Sequence, residues 1–276
     1  MTQSMIEHEN ETITGSKGSY ASMNGLNMYY EIHGTGKTLV LLHGALSSIE
    51  TSFGKLLPFL AKTRQVIAIE QQAHGHTADI DRPLTIEQMA DDTIALLRHL
   101  GIEKADILGY SLGAGIALQI AIQHPDLVRM LVVAAIPYNS DGFRLGVFAG
   151  IRKMQPENMA GTPWHEEYIR IAPNPENWPR LLEKVRQLEL QGWSPKAIQS
   201  IKAPTLTIIG DSDVVRPEHA VEMFRLLRSV VGDLGGLPRS QLAVLPGTTH
   251  ATLVERTDWL ISMIEEFLDA PMPKVK

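Results

Sequence analysis

The chain has no cysteine. Disulfides, thiolate metal sites and a cysteine nucleophile are excluded together, although compartment is not decided by this alone. Aromatic residues make up only 6% of the 276 positions, so any clustering of them carries information. Positive charge is in deficit: 25 Lys and Arg against 31 Asp and Glu leave a formal net charge of −6. No Lys/Arg cluster falls on a helix pattern, so the electrostatic footprint of a nucleic-acid partner is missing. No apolar run approaches the roughly 20 residues of a membrane span. Residues 1–17 are polar and acidic, without the basic start and apolar core of a secretory signal. A cytoplasmic protein with a flexible N-terminal tail over 1–17 is expected, with neither membrane nor nucleic acid as partner.

What is present is a regular alternation of short apolar runs and helix patterns. Two β patterns, Tyr20–Met23 and Leu26–Ile32, flank Asn24-Gly25, a hairpin turn signal because both residues tolerate positive φ. Buried-strand runs follow at Thr38–Leu42, Gln65–Ile69, Ala105–Leu108, Met130–Ala135, Pro204–Gly210 and Leu242–Leu245. Between them lie helix patterns. One is expected around Ile49–Leu60. Another opens at Thr85, with Gln88 placed for a capping box and Gly101 just past its end. Strands alternating with helices predict a mostly parallel sheet with helices on both faces. The length suits one large domain with an inserted lobe.

Gly109-Tyr110-Ser111-Leu112-Gly113 sits where a strand pattern ends and a helix pattern rich in small residues begins. In that context G-x-S-x-G reads as a nucleophile elbow. A serine hydroxyl needs a base at the moment of attack. Two partners follow in order: Asp211-Ser212-Asp213 closes one strand, and His250 follows Leu242–Leu245 through Pro246-Gly247-Thr248-Thr249. Upstream, His43-Gly44-Ala45 follows the strand ending at Leu42.

These four motifs, in the order Ser, Asp, His, resemble the α/β-hydrolase family, in its branch with a helical cap. The resemblance runs from about Gly18 to the last helix. It implies an eight-stranded, mostly parallel sheet with a cap after the sixth strand. The division would be a core over 18–137 and 202–276, and a cap over 138–201. Ser111 would be the nucleophile, His250 the base and Asp213 the acid, with Asp211 as a turn residue. Ala45 and Leu112 would give the backbone N–H groups of the oxyanion hole. His43 reads as a loop brace. The family's D-x-x-G turn after the fourth strand appears here as Glu70-Gln71-Gln72-Ala73, which leaves that turn's conformation open. His74, His76 and Asp79 could imitate a metal cluster; no metal and no cofactor is expected.

The strand rhythm stops between about Tyr138 and Ile201, where Pro156, Pro163, Pro173, Pro175, Pro179 and Pro195 punctuate helix-like stretches. Trp164, Trp178 and Trp193, three of the four tryptophans, fall here. Tyr138, Phe148, Trp164 and Trp178 are candidates to line a substrate pocket. Tyr110 has two readings, below the sheet or at the pocket. The stripe Leu253, Leu260, Ile264 and Phe267 on the last helix could face core or partner, leaving monomer and homodimer open. The expected activity is hydrolysis of small, largely uncharged esters or lactones through an acyl-enzyme. Carbon–carbon bond hydrolases, perhydrolases and thioesterases or amidases use the same triad. A small-molecule receptor on this scaffold is the reading from another class. A carboxylate-bearing substrate would call for cap cations, for which Arg144, Arg152, Lys153 and Arg170 are candidates.

Overall fold

Asn24 and Gly25 take φ of 52° and 78°, which closes a hairpin between β1 (Ser19–Met23) and β2 (Leu26–His33). The computed structural model describes residues 18–188, 192–227 and 239–271; the expected tail over 1–17 lies outside them. β2 pairs antiparallel with β4 (Arg64–Ile69). From there every pairing is parallel, through β3 (Lys37–Leu42), β5 (Ala105–Tyr110), β6 (Val128–Ala134), β7 (Thr205–Ser212) and β8 (Gln241–Thr249). The eight strands lie in the order β1-β2-β4-β3-β5-β6-β7-β8. The chain therefore leaves β3 toward β4 on one side and returns to β5 on the other. Loops from the carboxyl ends of β3 and β5 diverge at that switch point, which opens a crevice there.

β5 is buried along its whole length and β3 from Leu39 to Leu42, as expected for strands covered on both faces. Alternate side chains divide between two cores. Val40, Leu42 and Ile107 meet the helices Ile86–His99 and Leu112–Gln123 on one face. Leu39, Leu41 and Leu108 share the other face with Leu260, Ile264 and Phe267 of the helix Thr257–Asp269. The apolar stripe at the chain's end thus faces core.

Two local expectations need correction. The helix over Ile49–Leu60 is in fact two, Ile49–Phe53 and Leu57–Leu60. Pro58 has no N–H to donate, so an unbroken helix would lose a bond there. At the third helix only half of the capping box forms. Thr85 Oγ1 accepts the Gln88 N–H at 3.1 Å, but Gln88 Nε2 donates to Asp92 Oδ1 at 3.3 Å. Donating to the buried Asp92 carboxylate holds the Gln88 amide one turn along the helix, away from the Thr85 N–H.

Between β6 and β7 run the helices Val147–Arg152, Pro156–Met159, Pro163–Ile171, Trp178–Gln187 and Pro195–Gln199. Pro156, Pro163 and Pro195 begin helices rather than break them, because a first-turn residue has no intrahelical N–H bond to lose. The helix Trp178–Gln187 buries Trp178, Leu181, Leu182 and Val185. Lys184 fastens it to the loop after β4, with Nζ donating to Asp79 Oδ1 (2.6 Å), Ile80 O (2.9 Å) and Arg82 O (2.7 Å).

Candidate active site

Ser111 stands between β5 and the helix Leu112–Gln123 with φ 53° and ψ −115°. This is a strained conformation for a residue with a side chain, and it persists only where the surroundings enforce it. Its N–H donates to Ala134 O at 2.8 Å, and its carbonyl accepts from Ala114 and Gly115. The flanking glycines permit the turn by close approach. A Cβ on Gly109 would lie 2.2 Å from Gly113 O, and one on Gly113 would lie 1.9 Å from Leu42 O.

The turn aims the hydroxyl at the loop after β8. Ser111 Oγ is 3.0 Å from His250 Nε2, and His250 Nδ1 is 2.9 Å from Asp213 Oδ1. Asp213 is buried; its Oδ1 also accepts from Val215 N–H (3.3 Å) and its Oδ2 from Gly210 N–H (3.4 Å). A carboxylate facing Nδ1 places the imidazole proton there and leaves the Nε2 lone pair toward the serine. Asp211 does different work. It is exposed, and it accepts from Gly247 N–H (2.9 Å), Ser212 Oγ (3.0 Å) and Thr248 N–H (3.3 Å). The Gly247 N–H, with Ser212 next, holds its carboxyl below the usual range. Asp211 thus ties the end of β7 to the loop that carries His250.

Ala45 and Leu112 both face the same cavity as Ser111 and His250. Neither backbone N–H has a protein acceptor among the described residues. The loop carrying Ala45 is braced by His43, which is fully buried. Its Nε2 accepts from Gln71 N–H at 3.0 Å, so Nδ1 carries the proton and donates to Gly44 O at 2.7 Å. Burial, aided by nearby His74, lowers its pKa to about 3 and keeps it neutral.

The turn after β4, where Glu70 and Ala73 stand, is tied together by the Glu70 carboxylate. Glu70 accepts from Ile49 N–H (3.2 Å) and from the backbone and ring of His76, while Ala73 takes φ 65°. His74 turns instead to Gln72 O (2.8 Å), and Asp79 to Lys184 and Arg180. Among the described residues no group of three or more His, Asp or Glu is disposed to hold a metal.

The cavity above Ser111 has a volume of about 1230 Å³. Phe148 and Trp164 line it; Tyr110, Tyr138 and Trp178 do not. Tyr110 belongs to the core on the far side of the sheet, and its hydroxyl donates to His250 O at 2.8 Å. Tyr138 turns toward the helix Pro217–Leu226, donating to Glu222 Oε1 at 2.6 Å and stacking on His219. Trp178 is buried among Tyr168 and His165. Of the candidate cations, Arg144 and Arg152 reach the cavity. Lys153 does not, and Arg170 pairs with Glu167. Sequence reasoning missed Arg186, which also lines the cavity. Its signal was its place four residues after Leu182, beside the buried stripe of its helix.

The chain has relatives of similar length. It is 26% identical over 265 residues to a 2-hydroxymuconate semialdehyde hydrolase of Pseudomonas sp. (strain CF600), covering 85% of this chain and 88% of that one. It is 24% identical over 270 residues to the mouse (Mus musculus) serine hydrolase BPHL, covering 92% and 87%. The fold matches that of a meta-cleavage product hydrolase from Pseudomonas fluorescens IP01 with a TM-score of 0.75, at 22% identity over 92% of this chain and 97% of that one. The model of the α/β-hydrolase fold family matches residues 37–197, more than half of the chain, and the protein belongs to that family.

Proposed function

We propose that this protein is a serine hydrolase that cleaves small esters or lactones through an acyl-enzyme, with no cofactor. One observation carries the reading: an unbroken hydrogen-bonded chain from Ser111 Oγ through His250 to buried Asp213, open to a cavity. His250 takes the serine proton as Oγ attacks the substrate carbonyl, and returns it to the leaving alcohol. Asp213 orients the imidazole and stabilises the imidazolium. The tetrahedral oxyanion is held by the Ala45 and Leu112 N–H groups, each worth roughly 3–4 kcal/mol by analogy with other such holes. Water, activated by His250, then releases the acyl group.

Residues 138–201 act as the cap over this chemistry, and 18–137 with 202–276 as the core. The largely apolar wall contributed by Phe148, Ile151, Met154, Met159 and Trp164 suits a hydrocarbon body on the substrate. Hydrolysis of p-nitrophenyl esters from C2 to C12 tests the reading. Activity that Ser111→Ala abolishes supports it; activity that survives the substitution overturns it. Carbon–carbon bond hydrolysis by the same groups is the second reading, favoured by the likeness to a 2-hydroxymuconate semialdehyde hydrolase. It predicts little turnover on every ester of the series.

A further inference from the structure

We infer that Tyr110 is a positioning residue for the base: its side chain, one residue before the nucleophile, holds the backbone of His250 at a fixed distance from Ser111. This rests on the hydrolase reading above and adds to it what keeps serine and histidine in register.

β8 ends at Thr249, so His250 stands just beyond the ladder that carries it. Its imidazole meets Ser111 and Asp213. Among the described residues its backbone makes a single hydrogen bond, in which His250 O accepts the Tyr110 hydroxyl at 2.8 Å. Tyr110 closes β5 and Ser111 follows it. The tyrosine side chain enters the core on the far side of the sheet, while Ser111 faces the cavity. Two adjacent residues of the elbow thus engage the same histidine at two points, Ser111 at Nε2 and Tyr110 at the main-chain carbonyl.

The tyrosine is itself held in place. It is only 7% exposed, and its ring centroid lies 5.4 Å from that of His250. Gly44 comes so close that a Cβ there would stand 3.0 Å from Cδ1 and Cε1 of the ring. Gly44 precedes Ala45, so the loop assigned above to the oxyanion rests on the same ring that braces the base. Desolvation pushes the phenol's pKa well above its usual value, which keeps the hydroxyl protonated and donating. Without that bond the His250 backbone is free to drift, and Nε2 loses its aim at both the serine proton and the departing oxygen. An ångström of drift in such an arrangement is worth roughly 100-fold in rate.

The test removes the hydroxyl and keeps the ring. Tyr110→Phe is compared with wild type and with Tyr138→Phe, which deletes another buried hydroxyl, bonded to Glu222 outside the triad. The substrates are phenyl acetate and 4-nitrophenyl acetate, which share an acyl group. Phenoxide needs a proton from His250 as it leaves, whereas 4-nitrophenoxide leaves readily without one. In Tyr110→Phe, kcat/KM on phenyl acetate should fall by about tenfold or more, and by about three times more than on 4-nitrophenyl acetate. Tyr138→Phe should keep both wild-type values. A mere loss of packing would lower the two esters alike. Equal falls, or none, overturn the inference while the hydrolase reading stands. Amide hydrogen exchange of the segment 248–252 separates the two claims, because it needs no turnover. It should quicken about threefold or more in Tyr110→Phe and stay unchanged in Tyr138→Phe. Unchanged exchange in Tyr110→Phe overturns the grip on His250. Quickened exchange, with no ester turnover by wild type or full turnover by Ser111→Ala, would sustain the grip and overturn the hydrolase reading.

Discussion

Arg144 Nε donates to the backbone carbonyl of Asp213 across 2.7 Å, so the chain just after β6 grips the loop that supports His250. The grip is reinforced by Arg144 Nη2 on Asp211 O, by Arg144 N–H on Val214 O (2.8 Å) and by an antiparallel bridge between Phe143 and Val215. A shift of the loop by even an ångström would misalign Asp213 with His250 Nδ1. Arg144→Ala should therefore lower kcat by about ten- to 100-fold on a neutral ester, with a smaller change in KM. Arg144→Lys should restore part of the loss. A change confined to KM would instead make Arg144 a substrate contact.

Trp164 and Trp178 share a residue type but predict opposite phenotypes. Trp164 lines the cavity, so Trp164→Ala should alter the ratio of activities between short and long esters with little loss of stability. Trp178 is buried between Tyr168 and His165, and truncating it should cost about 3–5 kcal/mol of stability. Chemical denaturation beside the ester series checks both. Specificity shifting in Trp178→Ala, with stability intact, would reverse the assignment.

Two buried histidines set an acid limit on stability. Desolvation lowers His43 to about 3 and His74 to about 4, from an ordinary value of 6.5. As pH falls below 6.5 the unfolded chain takes up protons at both positions while the folded chain does not. Stability contributed by these groups is complete above that value and is lost as pH falls toward 4. His76, whose pKa is raised by the hydrogen bond its ring donates to Glu70, acts in the opposite direction and offsets part of the loss. The urea midpoint should be lower at pH 5 than at pH 7.5, and His74→Gln should lose less over the same interval. Equal losses in wild type and variant would contradict this origin.

The strand ends were legible in the sequence because each candidate catalytic group follows a short apolar run set between helix patterns and turn residues. Ser111 follows β5, Asp213 follows β7 and His250 follows β8, so the alternation of strand and helix carried their relative positions with it. The cavity wall was not legible in the same way. Tyr138 and Trp178 are apolar, aromatic and in the right stretch, yet their ring directions depend on Glu222, His219 and Tyr168, which no local pattern reveals. Tyr110 follows the strict alternation of β5 and so falls on the face opposite the cavity. Arg186 belongs to none of the sequence motifs. Only the packing of the helix Trp178–Gln187 against the helix Val147–Arg152 turns it inward.

The central claim is that Ser111 becomes acylated, and trapping the intermediate tests it most directly. A p-nitrophenyl ester reaction, quenched in acid after milliseconds, should show by mass spectrometry one acyl group on the peptide that contains Ser111. Ser111→Ala should show neither adduct nor turnover. Full turnover by Ser111→Ala, or an acyl group on any other residue of the active wild type, would contradict the account.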